Sequence, residues 1–253
     1  MSLLQVNDLH KSYGDFMAVR GVSFSLEPGE MLALIGPNGA GKSTTFNMIG
    51  GQARANQGTV LLNGQPILGL HARDIWQLGV GRTFQIAATF ASLTVVENVQ
   101  MTLLSFHRKM FSFFRSAAAQ YREQALALLA QVGMEDQADR PCSELAYGDV
   151  KRVELAMALA NDPVLLLMDE PTAGMAPQER NALMALTHKL ARQRNMGVLF
   201  TEHSMDVVFA YADRIIVLAA GWLIAEGSPD EIRNHPQVRE VYLGSGIGLE
   251  KLK

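Results

Sequence analysis

The run Gly36-Pro37-Asn38-Gly39-Ala40-Gly41-Lys42-Ser43-Thr44 carries the plainest chemistry in the chain. It fits the spacing G-x-x-x-x-G-K-[ST], which suits a triphosphate. Its glycines let the backbone turn tightly with no Cβ in the way. Successive N–H groups can then converge on phosphate oxygens. Lys42 offers an ammonium to the β- and γ-phosphates, and Ser43 offers a hydroxyl to Mg²⁺. A second set of groups is acidic. Asp169 and Glu170 close the apolar run Val164-Leu165-Leu166-Leu167-Met168. Asp169 suits a Mg²⁺ ion held through water. Glu170 is then placed to polarise an attacking water as general base, the alternative being two acids that cap a buried strand. His203 follows the run ending at Thr201-Glu202. It is a candidate to bond the γ-phosphate or the lytic water, and an ordinary structural histidine is the competing reading. Tyr13 is a lone aromatic in an early turn, open to either a binding or a packing role.

These groups need elements to hold them. Met31-Leu32-Ala33-Leu34-Ile35 reads as a buried strand leading into the phosphate loop, and Thr44–Ile49 as the helix leaving it, whose N-terminus favours an anion. Upstream, Leu3–Val6 and Val22–Leu26 read as strands, with turns at Lys11–Gly14 and Glu27–Glu30. Gly58–Leu62 predicts another strand, ending in the Asn63-Gly64 turn. From about Thr94 to Met134 the apolar spacing becomes helical, through Val95, Val96, Val99, Leu103, Leu126, Leu129 and Val132. Between the two halves of that stretch, Arg108–Arg115 is basic and aromatic, either a surface for another protein or a loop folded on its own helices. After Pro163 the alternating pattern returns. It gives the Val164–Met168 strand, a helix over Pro177–Arg192, a strand at Gly197–Thr201, and a hairpin of Arg214–Leu218 and Trp222–Ala225 around Gly221. Acids at the carboxyl end of a central strand lie where open α/β sheets bind ligands.

The 253 residues, 48% of them hydrophobic, suffice for one large domain with a sizeable core. The net charge of −3 gives no bulk attraction to nucleic acid, and no nucleic-acid partner is expected. A single cysteine, Cys142, excludes an internal disulfide framework and fits a reducing compartment. No signal-peptide pattern and no apolar stretch near ~20 residues is present, so a cytoplasmic chain is expected.

The segment Leu145-Ala146-Tyr147-Gly148-Asp149, opening a helix read as Val150–Ala160, resembles a degenerate L-S-G-G-Q signature of ATP-binding cassette (ABC) ATPases. The order of motifs is also similar to that family's: Tyr13, phosphate loop, Gln85 after Arg82-Thr83-Phe84, signature, acid pair, His203. The resemblance covers almost the whole chain. It implies an α/β P-loop NTPase fold, the ABC cassette, with an N-terminal antiparallel β part and an inserted α-helical subdomain. Residues 1–85 and 160–230 would form the nucleotide-binding core, about 86–159 the helical subdomain, and about 231–253 a C-terminal tail. It implies ATP and Mg²⁺ as cofactors, with Tyr13 on the adenine, residues 36–44 on the phosphates, and Ser43, Gln85 and Asp169 at the metal. Glu170 would be the catalytic base and His203 the switch residue. Ala146, Tyr147 and Gly148 would act in trans, completing the site of a second cassette bound head to tail.

The chain departs from the family pattern at Ala146, where a serine normally meets the γ-phosphate, and a charge-assisted hydrogen bond worth roughly 1.5–3 kcal/mol is lost. Tyr147 replaces a glycine and Asp149 a glutamine. In the dimer-contact loop Thr172-Ala173-Gly174-Met175-Ala176, the usual aspartate is Ala176. Gly81–Gln85, Leu93–Val99, Tyr147, Ala173–Met175 and the tail Val241-Tyr242-Leu243-Gly244 resemble the ATP-binding subunits of bacterial importers for branched-chain and other hydrophobic amino acids, urea or short amides. Membrane permease subunits and, indirectly, a periplasmic binding protein are the implied partners, with the cassette peripheral on the inner face of the plasma membrane. Residues 86–90 would line the groove that receives a permease's coupling helix. The competing readings are the ATPase of a lipid or lipopolysaccharide exporter and a soluble non-transport cassette.

Overall fold

The computed structural model describes residues 2–83, 89–107 and 121–244. Gln85, residues 86–88 of the expected groove, the basic and aromatic run Arg108–Arg115 and the last nine positions of the tail lie outside the described residues.

β1 (Leu4–Tyr13) and β2 (Phe16–Leu26) form a long antiparallel ribbon. β1 therefore runs through Lys11-Ser12-Tyr13, where a turn was expected, and the turn itself is Gly14-Asp15. Ladder pairing of Lys11 with Val19 and of Tyr13 with Phe16 overrides the turn-like composition of that stretch. After the Glu27–Glu30 turn come β3 (Met31–Ile35), the phosphate loop and α1 (Lys42–Ile49). β4 (Gln57–Leu62) and the short β5 (Gln65–Pro66) complete an antiparallel sheet of order β2-β1-β4-β5. α2 (Ala72–Gln77) and β6 (Val80–Thr83) follow.

The helical stretch opens with α3 (Val95–Phe106), whose start is closed by a capping box. The Thr94 hydroxyl accepts from Glu97 N, and Glu97 Oε2 accepts from Thr94 N at 2.8 Å. α4 (Arg122–Gln131) and α5 (Tyr147–Ala158) pack on it. α5 starts at Tyr147, not Val150, because Asp149 N and Val150 N already donate to Ala146 O, at 3.0 and 3.1 Å.

The α/β pattern then resumes with β7 (Leu165–Asp169), α6 (Pro177–Arg194), β8 (Gly197–Thr201), α7 (Met205–Tyr211), β9 (Arg214–Ala219) and β10 (Trp222–Gly227). The helices α8 (Pro229–Asn234) and α9 (Pro236–Gly244) end the described chain, each beginning at a proline whose missing N–H costs nothing at a helix start. The second sheet has the order β10-β9-β3-β8-β7-β6, parallel except for the β9–β10 hairpin.

Strand alternation divides the core in two. Ala33 and Ile35, Leu166 and Met168, Val198 and Phe200, and Ile215 and Val217 pack toward α3 through α7. Leu32 and Leu34, Leu165 and Leu167, Leu199, and Ile216 and Leu218 pack toward α1 and the antiparallel sheet. The parallel sheet is thus covered on both faces, as its continuous apolar strands require. Its carboxyl edge gathers the ends of β3, β7 and β8, and with them the phosphate loop, the acid pair and His203.

Candidate functional site

The phosphate loop keeps its shape through two glycines that no other residue could replace. A Cβ at Gly36 (φ 153°) would lie 2.2 Å from Leu218 O, and one at Gly41 (φ 101°) 2.5 Å from Ala18 O. β9 and β2 therefore press directly on the loop. Gly221 N of the β9–β10 turn also donates to Ala40 O at 3.2 Å. Gly41 is the N-cap of α1 and makes no side-chain cap, so the helix start stays open toward the cavity.

Lys42 is only 7% exposed. Its Nζ donates to Gly36 O at 2.7 Å and to Pro37 O at 3.1 Å, so the ammonium is held across the loop by the loop's own carbonyls. Burial lowers its pKa, and the charges of Glu170 and Asp169 oppose that shift. The Lys42 cation and the two carboxylates therefore share one electrostatic environment.

β7 and β8 place the acids. Asp169 pairs with Thr201 across the two strands. The Thr201 hydroxyl donates to Asp169 Oδ1 at 2.8 Å and accepts from Glu170 N at 3.0 Å. That bond helps hold Glu170 at φ 48°, a left-handed conformation uncommon for a non-glycine residue. The turned backbone directs the Glu170 carboxylate to His203, whose Nε2 lies 2.6 Å from Glu170 Oε1. Arg82 on β6 lies behind the acids. Its Nη2 is 3.9 Å from Asp169 Oδ2 and donates to Asn47 Oδ1 at 2.9 Å, while Nη1 donates to Gln52 Oε1. Burial pulls the Arg82 pKa down, and Asp169 opposes it.

A cavity of about 230 Å³ joins these parts. Tyr13 and Phe16 line one end, residues 38–44 form the floor, and Glu170 and His203 line the other end. Tyr13 is 55% exposed, with Lys11 Nζ 4.9 Å from its ring centroid, which leaves a face for stacking. The structure thus brings Tyr13, Asn38, Gly39, Ala40, Gly41, Lys42, Ser43, Thr44, Glu170 and His203 to one place, with Gly36 and Pro37 beneath Lys42 and Asp169 beside Glu170. Ala146, Tyr147 and Gly148 are not among the residues lining it. They sit at the start of α5, where Ala146 and Tyr147 are exposed, Tyr147 to 44%, and Gly148 is buried. Ala146 is the N-cap there and makes no side-chain cap. A Cβ at Gly148 would lie 3.0 Å from Glu179 Oε1.

A second concavity, of about 240 Å³, opens between α2, β6, α3 and α5. It is lined by Ile75, Trp76, Thr102 and Met157, with Arg82 and Glu154 as its charged groups.

Three residues at the site carried no sequence signal strong enough to single them out: Arg82, Thr201 and Glu202. Their available signal is positional, a polar pair directly after an apolar parallel strand and a cation beside the expected glutamine. Their partners come from distant parts of the chain, so spacing alone does not reveal them.

Comparison with known proteins agrees with this geometry. The ABC transporter family profile matches residues 19–173, and a branched-chain amino acid ATP-binding cassette transporter profile matches residues 223–247. The high-affinity branched-chain amino acid transport ATP-binding protein LivG of Escherichia coli K12 is 39% identical over 252 residues, covering 96% of this chain and 98% of LivG. The lipopolysaccharide export system ATP-binding protein LptB of Haemophilus influenzae is 36% identical over 249 residues, 98% of this chain and 100% of LptB. Among solved structures, an ABC transporter cassette in its ADP conformation superposes with a TM-score of 0.86 at 31% identity, covering 96% of this chain and 99% of that one. A dimeric cassette bound to ADP and Pi superposes with a TM-score of 0.76 at 27% identity, covering 89% and 98%.

Proposed function

The chain belongs to the ABC transporter family, as an ATP-binding cassette, and from that premise we propose that it is the ATPase of an importer for branched-chain or related hydrophobic amino acids. The observation that carries the enzymatic part is the single cavity shared by the phosphate loop, Glu170 and His203. ATP binds with its adenine on Tyr13 and its phosphates along residues 36–44, where loop N–H groups, the open start of α1 and Lys42 receive negative charge. The oxygen donors beside that floor, the Ser43 hydroxyl and the Asp169 carboxylate, are hard ligands of the kind Mg²⁺ takes. Ser43 and Asp169, with Gln85, would hold that ion, which would neutralise charge on the phosphates. Glu170 orients a water and accepts its proton, and His203, bonded to Glu170, fixes the direction of that carboxylate.

In this reading residues 1–85 and 160–230 act as the nucleotide-binding core and 86–159 as a helical unit. Residues 231–253 form the tail. Two cassettes close head to tail, and Ala146, Tyr147 and Gly148 of each meet the nucleotide of the other. The exposure of Ala146 and Tyr147 supports this. Release of phosphate then removes the anion that holds the pair closed. The cleft between α2, β6, α3 and α5 receives a permease segment. No helix among the described residues is long and apolar enough to cross a membrane, which accords with a subunit docked on a permease at the inner face.

ATP turnover by the cassette with its membrane subunits, beside a Glu170→Gln variant, tests the mechanism. Turnover falls by about 10³-fold or more if Glu170 is the base, and equal rates refute the assignment. The match to LptB supports a second reading, the motor of a lipopolysaccharide exporter. The profile match over residues 223–247 favours import, and weighs equally against a soluble non-transport cassette. Identification by mass spectrometry of the membrane subunits that co-purify with the chain separates the two.

A further inference from the structure

Glu202 follows β8 and is 4% exposed. A carboxylate that deep is costly unless donors surround it. Here they do, and they come from two different loops. Glu202 Oε1 accepts from Thr172 N at 2.9 Å and from the Thr172 hydroxyl at 2.6 Å. Glu202 Oε2 accepts from His203 N at 3.2 Å, with Ser204 N at 3.5 Å. Thr172 opens the loop that follows the acid pair and leads to α6. His203 is the residue that meets Glu170. A second tie joins the same two loops from outside: Arg180, in the first turns of α6, donates from Nη1 to Ser204 Oγ at 2.6 Å. At that depth, packing alone would favour an apolar side chain, and the fold gains nothing from an acid there unless its two oxygens must serve two masters.

We propose that Glu202 is a positioning residue. It locks His203 and the loop 171–176 to one carboxylate, so that displacement of that loop is passed to the His203–Glu170 contact. Glu202 does not touch nucleotide in this scheme. It sets where His203 stands, and it does so in register with the loop that the family resemblance places at the contact between cassettes. The proposal rests on the assignment of His203 and Glu170 made above.

A double-mutant cycle tests it in the assembled transporter, with ATP turnover measured for the unaltered protein, His203→Ala, Glu202→Gln and the double variant. Glutamine keeps one acceptor oxygen but turns an NH₂ toward either Thr172 or His203 N, so one tie breaks. The expected result is a fall in kcat of about tenfold for Glu202→Gln, with KM for ATP within about twofold, and no further fall when the change is made on His203→Ala. An equal loss in both backgrounds, or a change confined to KM, overturns the proposal while leaving the mechanism intact. His203→Ala at the unaltered rate overturns both. Should Glu202→Gln fail to fold, Thr172→Val and Thr172→Ser serve instead. The valine variant is expected to slow turnover several-fold, the serine to restore it, and neither to matter without His203. Valine and serine variants that both match the unaltered protein overturn the proposal.

Discussion

The helix starts of α1 and α5 both lack a side-chain cap, and they differ in what surrounds them. The start of α1 lies in a cavity to which the same chain supplies a buried lysine, a carboxylate, a histidine and two aromatics. The start of α5 lies on an exposed face, with Ala146 in the capping position and Tyr147 beside it. By contrast, α3 and α8 are closed by capping boxes from Thr94 and Glu97 and from Ser228 and Glu231. A closed start serves the fold. The open start of α1 faces the chain's own cation, carboxylate and histidine, whereas the start of α5 has only the acids Asp149 and Glu179 close by. The difference teaches where the chain is self-sufficient and where, in the proposed reading, it would depend on a second cassette.

The sharpest way to break the self-sufficient side is at Gly36. With Leu218 O 2.2 Å from the position of a Cβ, Gly36→Ala forces β9 off the loop. A loss of about 3 kcal/mol or more in denaturant unfolding, with nucleotide affinity lost, is expected. Gly39→Ala is the control: its Cβ meets nothing within 4 Å, so only the φ of 78° is strained, at about 1–2 kcal/mol.

Next in size is a brace at the opposite, amino edge of the same sheet. Arg214 joins Glu30, Glu226 and Ser25 O, and its bonds to Glu30 raise its pKa first among several causes. Arg214→Met leaves those acceptors without their cation. About 2 kcal/mol of stability is lost in chemical denaturation, while the face at α5 is untouched.

On the dependent side, Ala146→Ser adds both a cap and a hydroxyl aimed outward. About 1 kcal/mol of helix stability is gained in thermal unfolding. ATP-driven pairing of cassettes tightens by about tenfold in sedimentation if the start of α5 meets a partner's phosphate. A stability gain with unchanged pairing would place the partner elsewhere.

The smallest effect concerns a closed start. Hydrogen bonds from Ser228 hold the Glu231 pKa below its usual value. A depressed carboxyl pKa adds stability above the unfolded value and loses it as pH falls through the folded one. Acid titration followed by NMR should therefore loosen α8 below about pH 4.5, and Ser228→Ala should weaken that dependence without abolishing it, because the Ser228 N–H still donates to Glu231 Oε2.

Much of this was legible in the sequence because it is local. The phosphate loop, the strand before it and the acids at the end of β7 are contiguous patterns, and the structure places them as their spacing implies. What escaped depends on pairing between distant segments. β1 continues through Tyr13 because β2 pairs with it, although Ser12-Tyr13-Gly14 reads as a turn. α5 begins earlier than its apolar spacing suggests because Tyr147 and Gly148 are helical by backbone bonding rather than by a capping side chain. α2, α7, α8 and α9 are short, and too few residues carry a period there. Thr201 and Glu202 gain meaning only when β7 and β8 lie side by side.

The central claim is that this cavity grips a nucleotide through Lys42. Titration of ATP with Mg²⁺ into the purified chain and into Lys42→Ala, followed by turnover of both with their membrane subunits, tests it most directly. The account predicts at least a tenfold loss of affinity for the variant and no measurable turnover. Full affinity and full turnover in Lys42→Ala would contradict it.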